Sequence, residues 1–394
     1  MRWRRQAHAA VLLASLARPL VAAPPPPDAI LIDAGSGATL REQGAGTAHV
    51  APSLAPLMLA LVSLEHTALG LLPATTTVTL SRAGAAAAAA GLRIPLRGDD
   101  AYPLSEVLKA LLLTGADDAA VALAEVVGGS VDGCVDLMNA RALRLGLSDT
   151  RYTGVGRLIP LQTPPGSTTA RDVARLARAL VAHRTVLEWT SLTGFPFDRG
   201  AVLLRNANRL LGTVAGADGL YVSTDAAHGT QKADAAGGKQ RAGAMDGKQK
   251  ATHALVATAQ RGGLRLIAVV LGAADSTAAF STAAEWLEWG FREYERVTVL
   301  SKGDRLKIGV QVRNGTVAEV SPTAAETVSF LRRRDEERQI VLRYQVPDEV
   351  VAPVARDQRL GELLVEEGGT LIAVVPLVSS VRVPPSRMLS GDLP

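Results

Sequence analysis

The chain has 394 residues, more than one hydrophobic core usually organises, so two domains are expected. At 47% hydrophobic and 20% charged it has ample material for a core, which argues against global disorder. Its 42 basic residues are nearly matched by 38 acidic ones and only 4% of the chain is aromatic, so the clustered basic and aromatic footprint of a nucleic-acid binder is missing.

The N-terminus carries Arg2, Arg4 and Arg5, then Ala9–Leu16 as a short apolar run, then Val21-Ala-Ala23 before a proline run. A positive start, an apolar centre too short to span a bilayer and a small-residue exit read as an export signal over residues 1–23. The same composition also fits a basic tail without structure. Asp28–Asp33, closed by Gly35-Ser-Gly37, reads as a strand and turn. From Leu54 to about Glu65 apolar residues run nearly all round, as in a buried helix, which places Ser53 at a loop-to-helix junction and Pro56 in the first turn, where its missing N–H does little harm.

Six alanines at 85–90 suit either a helical patch or a loop. Val107, Leu108, Leu111 and Leu112 follow helical spacing, Gly115 marks a break, and Ala119, Ala120, Leu123 and Val126 begin a second helix that Gly128-Gly129 ends. Ser130 caps a third, in which Val131, Val135 and Met138 share a face with Cys134, the only cysteine. No base or positive charge stands near that thiol in sequence, so it reads as helix packing. Thr169-Ala-Arg-Asp172 resembles a capping box before an amphipathic helix.

Residues 229–252, rich in Gly, Ala, Lys and Gln and lacking apolar periodicity, read as a flexible insertion. Ala254–Gln260 and Leu264–Leu271, joined by Arg261-Gly-Gly263, predict an antiparallel hairpin of buried strands. Ala278–Tyr294 returns to helical spacing. Beyond it come short alternating strands with turn signals, such as Leu306–Val312 before Asn314-Gly315. This gives a first domain over 28–296, a small all-β domain over 297–383 and a tail over 384–394.

Three stretches carry what remains of a chemistry: Ala51–Met58, Leu111–Ala120 and Gly216–Ala227. With Ala29–Asp33, Asp118-Ala-Ala120, Leu137–Arg141, Leu145-Gly-Leu147, Thr169–Asp172, Asn208–Gly212, Asp218-Gly-Leu220 and Ile267–Gly272, the chain resembles the D-alanyl-D-alanine carboxypeptidases, the low-molecular-mass penicillin-binding proteins. Ala352-Pro-Val354 and Leu360-Gly361 resemble that family's C-terminal domain. The resemblance implies an α+β fold of the β-lactamase and transpeptidase type, an antiparallel sheet flanked by helices and followed by a small β domain.

It also implies three motifs: serine-x-x-lysine, serine-x-asparagine and lysine-threonine-glycine. Ser53 matches the nucleophile, but Pro56 stands where the lysine base belongs, and a pyrrolidine ring has no base to offer. In the second motif Gly115, Ala116 and Asp117 replace serine, any residue and asparagine, losing a hydroxyl and exchanging an amide for a charge that would repel a substrate carboxylate. Tyr221, Val222 and Ser223 occupy the third, without its cation, hydroxyl or glycine.

The expectation is a homologue that binds peptidoglycan stem peptides or an envelope protein without cleaving them. The alternative is an active enzyme in which Asp117, or a lysine of 229–252, serves Ser53 as an unorthodox base. His66, His228 and His253 lack metal-ligand spacing, and no phosphate-cradling glycine motif opens a helix, so neither metal nor cofactor is expected. The closing stretch Arg382–Pro394 contains prolines and no apolar face, so peripheral membrane contact is not expected of an otherwise exported protein.

Overall fold

The computed structural model describes residues 26–50, 52–98, 100–157, 166–225, 252–336 and 339–386. The export signal, nearly all of the 229–252 segment, His228 and the end of the tail lie outside the described residues.

Strands β1 (Asp28–Asp33) and β2 (Thr39–Gln43) open the chain, followed by a 3₁₀ turn at Pro52–Leu54 and helix α1 (Ala55–Ala68). A short strand β3 (Thr77–Val78), helix α2 (Arg82–Ala87) and strand β4 (Tyr102–Pro103) lead into α3 (Leu104–Thr114), α4 (Asp117–Gly128) and α5 (Val131–Arg144). The six alanines thus end α2 and form a 3₁₀ turn, Ala88–Ala90. Then come α6 (Ala170–Val181), α7 (Arg184–Thr190), the pair β5 (Gly194–Phe197) and β6 (Val202–Arg205), and β7 (Ala217–Asp225), β8 (Thr252–Arg261), β9 (Leu264–Ala273) and α8 (Ser276–Glu293).

The central sheet is antiparallel, in the order β2-β1-β9-β8-β7. Its inner strands read as unbroken apolar runs because both faces are covered. Ile30, Ile32, Val256, Ile267 and Val269 pack with α1 and α3–α6, while Ala29, Leu31, Leu255, Leu266 and Val270 pack under α8. Successive side chains of a strand point to opposite faces, so each strand feeds two cores. The predicted hairpin turns at Gly262 and Gly263, both at positive φ.

Helix α1 is buried along Ala55–Ser63 and forms the centre of the larger core. Pro56 lies in its first turn, where no intrahelical N–H is needed. Ser130 and Thr169 cap α5 and α6 as expected, accepting from Gly133 and Asp172 N–H. Cys134 is fully buried, and burial pushes its thiol up to about 12, consistent with a packing role.

After α8 every described element is a strand. β10 (Tyr294–Leu300) pairs with β14 (Val328–Arg333); β12 (Glu319–Val320) and β16 (Glu349–Val351) flank β11 (Val310–Arg313); and β13 (Pro322–Ala324), β18 (Thr370–Ser379), β17 (Arg359–Glu367) and β15 (Ile340–Gln345) form a four-stranded sheet in that order. The strand expected over Leu306–Val312 begins only at Val310. Arg305 bridges Thr323 and the Leu306 N–H bonds Pro322, so the chain serves one sheet there and another after Gly309.

Candidate functional site

The three stretches expected to hold the motif positions meet where the start of α1, the α3–α4 junction and the edge strand β7 come together. Ser53 lies in the 3₁₀ turn that leads into α1 and is 1% exposed, with no hydrogen-bond partner for its Oγ. One helical turn on, Pro56 is buried and offers no proton acceptor.

On β7, Tyr221 and Ser223 point to the core that holds α1 and α3, whereas Val222 packs toward α8, as the period of two requires. The Tyr221 hydroxyl donates to the Ser53 carbonyl at 3.0 Å. The same hydroxyl lies where a Cβ at residue 115 would stand, so only glycine fits beside it. Gly115 also ends α3 at φ +65°, in the left-handed region that glycine enters freely. Residues 115 and 221 therefore form one steric arrangement: the tyrosine fills space that a serine at 115 would need. Ser223 Oγ is also buried without a partner.

Asp117 opens α4, with its side chain 1% exposed. Its carboxylate accepts from Leu92 N–H at 2.8 Å, from Arg157 N–H at 2.9 Å and from the Arg157 guanidinium at 3.2 Å. Arg157 Nη2 also donates to the Gly115 carbonyl at 2.7 Å, binding the second motif from below. The expected repulsion of a substrate anion is corrected by this pairing, since the negative charge is neutralised within 4 Å. Sequence reasoning missed Arg157, which lies in a loop 40 residues away and carries no local signal.

Asp118, the next residue, keeps Oδ1 on Ile94 and Ala119 N–H while its Oδ2 has no hydrogen bond and lies 3.9 Å from Arg93 Nε. Burial pushes this carboxyl up to about 6, against the backbone donors that favour its charge. His66 donates from Nδ1 to the Val62 carbonyl and His253 lies on β8. Among the described residues no three of His, Cys, Asp and Glu gather as a metal site.

A cavity of about 20 Å³, lined in part by Leu54, Ala55 and Tyr152, has room for about one water and none for a peptide. A larger one of about 670 Å³ lies between β1 and α6 and is lined by none of the motif positions. Its arginines are engaged: Arg171 with Glu42, Arg175 with Asp172, Arg178 with the Ala34 and Gly35 carbonyls.

Residues 21–242 match the family model described as D-alanyl-D-alanine carboxypeptidase, and residues 294–385 match that of the penicillin-binding protein 5 C-terminal domain. The chain is 29% identical to the D-alanyl-D-alanine carboxypeptidase DacC of Escherichia coli (strain K12) over 355 residues, covering 89% of this chain and 82% of that protein. It superposes on a peptidoglycan synthesis regulatory factor (PBP3) from Streptococcus pneumoniae with a TM-score of 0.70 at 22% identity, covering 91% of this chain and 99% of the other. For penicillin-binding protein D2 from Listeria monocytogenes, in an ampicillin-bound form, the values are 0.54, 26%, 68% and 97%.

Proposed function

The chain belongs to the D-alanyl-D-alanine carboxypeptidase family of peptidoglycan metabolism, and we propose that within it this protein keeps the fold without the hydrolysis. In this reading it is exported to the cell envelope and acts there as a module that binds cell-wall stem peptides or a partner protein. The observation that carries the reading is the burial of Ser53 Oγ, unpartnered, in a turn whose backbone is held by the hydroxyl of Tyr221.

Acyl transfer needs a base within hydrogen-bond reach of the serine hydroxyl and a pocket that admits the carbonyl. Pro56 supplies no base and Gly115 no relay. Asp117, the described candidate for an unorthodox base, already receives three hydrogen bonds, one of them the ion pair with Arg157, which weighs against the active alternative. Loss of a general base alone costs about 10²–10⁴-fold in rate, and groups that act as a unit fail together.

A fluorescent penicillin tests this directly, with the Listeria D2 protein as the labelled control. We expect no covalent adduct on the full chain. Labelling that disappears in Ser53→Ala would overturn the proposal, because acylation requires an activated and reachable hydroxyl. Retention of the unlabelled protein on purified sacculi would support the binding role.

A further inference from the structure

The four-stranded sheet of the C-terminal part ends on β15, and no described strand pairs with its outer edge. Native edges are usually blunted by charges, proline or a covering loop. β15 reads Ile-Val-Leu-Arg-Tyr-Gln, and its one charge, Arg343, is 3.3 Å from Glu366 on the neighbouring strand.

The register of the sheet shows what this edge exposes. Leu342 stands opposite Val365 and Ala373, and Tyr344 opposite Leu363 and Val375, so all six share the face that holds the core of this sheet. Leu363 and Val365 are fully buried, but Leu342 is 39% and Tyr344 53% exposed. The apolar layer thus runs on to the edge and stops uncovered. Val374 on the opposite face is exposed as well.

We propose that this edge pairs with itself: two copies of the chain join β15 to β15 antiparallel about a two-fold axis, making one eight-stranded sheet. A two-fold perpendicular to the sheet keeps the faces continuous only if residues of like parity oppose each other. Four registers of this kind pair at least three residues of each strand, and centring on Tyr344 leaves Leu342 beyond the end of the second strand. Centring on Arg343 sets two arginines opposite each other, which is destabilising. Centring on Val341 leaves Tyr344 beyond the end of the second strand. Centring on Leu342 sets Leu342 against Leu342, Ile340 against Tyr344 of the second copy, and Val341 against Arg343, with no like charges opposed. That register covers both exposed side chains. Strands of six residues bury little against the roughly 1,200–2,000 Å² of a standard stable interface, so the association is reversible and concentration-dependent.

The test is a register-specific crosslink on the full chain. At the centre of the register, Leu342→Cys brings two thiols together across about 4.5–5.5 Å between Cα atoms, within disulfide range. Mild oxidation should yield a covalent dimer. Tyr344→Cys should not, because its two copies stand about 14 Å apart along the strands. Cys134 is buried, so the unaltered chain serves as the blank. In sedimentation velocity the unaltered chain should shift toward dimer as its concentration rises, and Leu342→Lys should weaken that dimer about tenfold or more by opposing two ammonium groups. Should Leu342→Lys fail to fold, the two cysteine variants decide alone. A monomer at every concentration, or Tyr344→Cys crosslinking as readily as Leu342→Cys, would overturn the proposal.

Discussion

Ser53 retains its hydroxyl, and under the proposed reading what surrounds it explains why a single replacement is not expected to give hydrolysis. Tyr221 and Gly115 fit each other, and Arg157 ties Asp117 and the Gly115 carbonyl together, so the neighbouring positions form an interlocked set. Pro56→Lys places an ammonium at a buried position, while Asp117, the carboxylate of the neighbouring stretch, is already paired with Arg157. The substitution should leave release of D-alanine undetectable and lower stability by about 3–5 kcal/mol, as an uncompensated buried charge does. Urea unfolding and an amino-acid release assay check both; turnover in that single variant would show that positions 115–117 and 221–223 matter less than argued. At this scale the three stretches that the structure brings together were readable because each sits within a few residues of a recognisable neighbour, such as Met58, Asp118 or Gly219. Arg157 was not, because its partner is distant in sequence.

Helix α4 shows how an element sets the chemistry of its residues. Two carboxylates open it, a favourable place beside unpaired N–H groups, yet only Asp117 has a cation in bonding contact. Asp118 is buried more than it is compensated, and its carboxyl stays protonated in the fold up to about pH 6, whereas in the unfolded chain it ionises near 3.8. The folded state therefore binds the extra proton between these values. Stability from this group is fully present below about pH 4 and falls by about 3 kcal/mol as pH rises through 6. Asp118→Asn keeps the acceptor for Ile94 and Ala119 and removes the titration. Denaturant unfolding at several values from pH 4 to 7 should show a shallower decline in that variant, and an unchanged decline would refute the assignment. Helices and the β8–β9 hairpin were readable from caps, periodicity and paired glycines. The strand that starts at Val310 was not, since its beginning depends on which of two sheets accepts the chain.

Across the molecule, Arg296 of β10 reaches back to Asp33 of β1, with its Nη2 at 2.8 Å from both carboxylate oxygens. Leu331 of β14 also packs against the core under α8. Burial alone would raise the Asp33 carboxyl, but hydrogen bonds from Ser36 and Arg296 outweigh it and hold the group below its usual value. This stabilisation is present above about pH 4 and is lost as pH falls through the lowered native value. Arg296→Met strands Asp33 beside Ser36 alone and should cost about 3–5 kcal/mol, while the double variant with Asp33→Asn recovers much of it. Thermal unfolding of the single and double variants measures this, and additive losses would contradict a direct pair. No described helix is long and apolar enough to cross a membrane.

The sequence by itself determined the family and the α+β architecture with its β-rich C-terminal part. Those features are local: a period of two or 3.6, a cap, a turn glycine, a run of matching residues. Only the tertiary structure decided that Ser53 is buried, that Tyr221 occupies the space beside Gly115, that Asp117 is paired, and that the apolar layer of the last sheet reaches an open edge. Each depends on residues that are far apart along the chain and meet only when the sheet and helices pack, and no pattern within a window of the sequence encodes such a meeting.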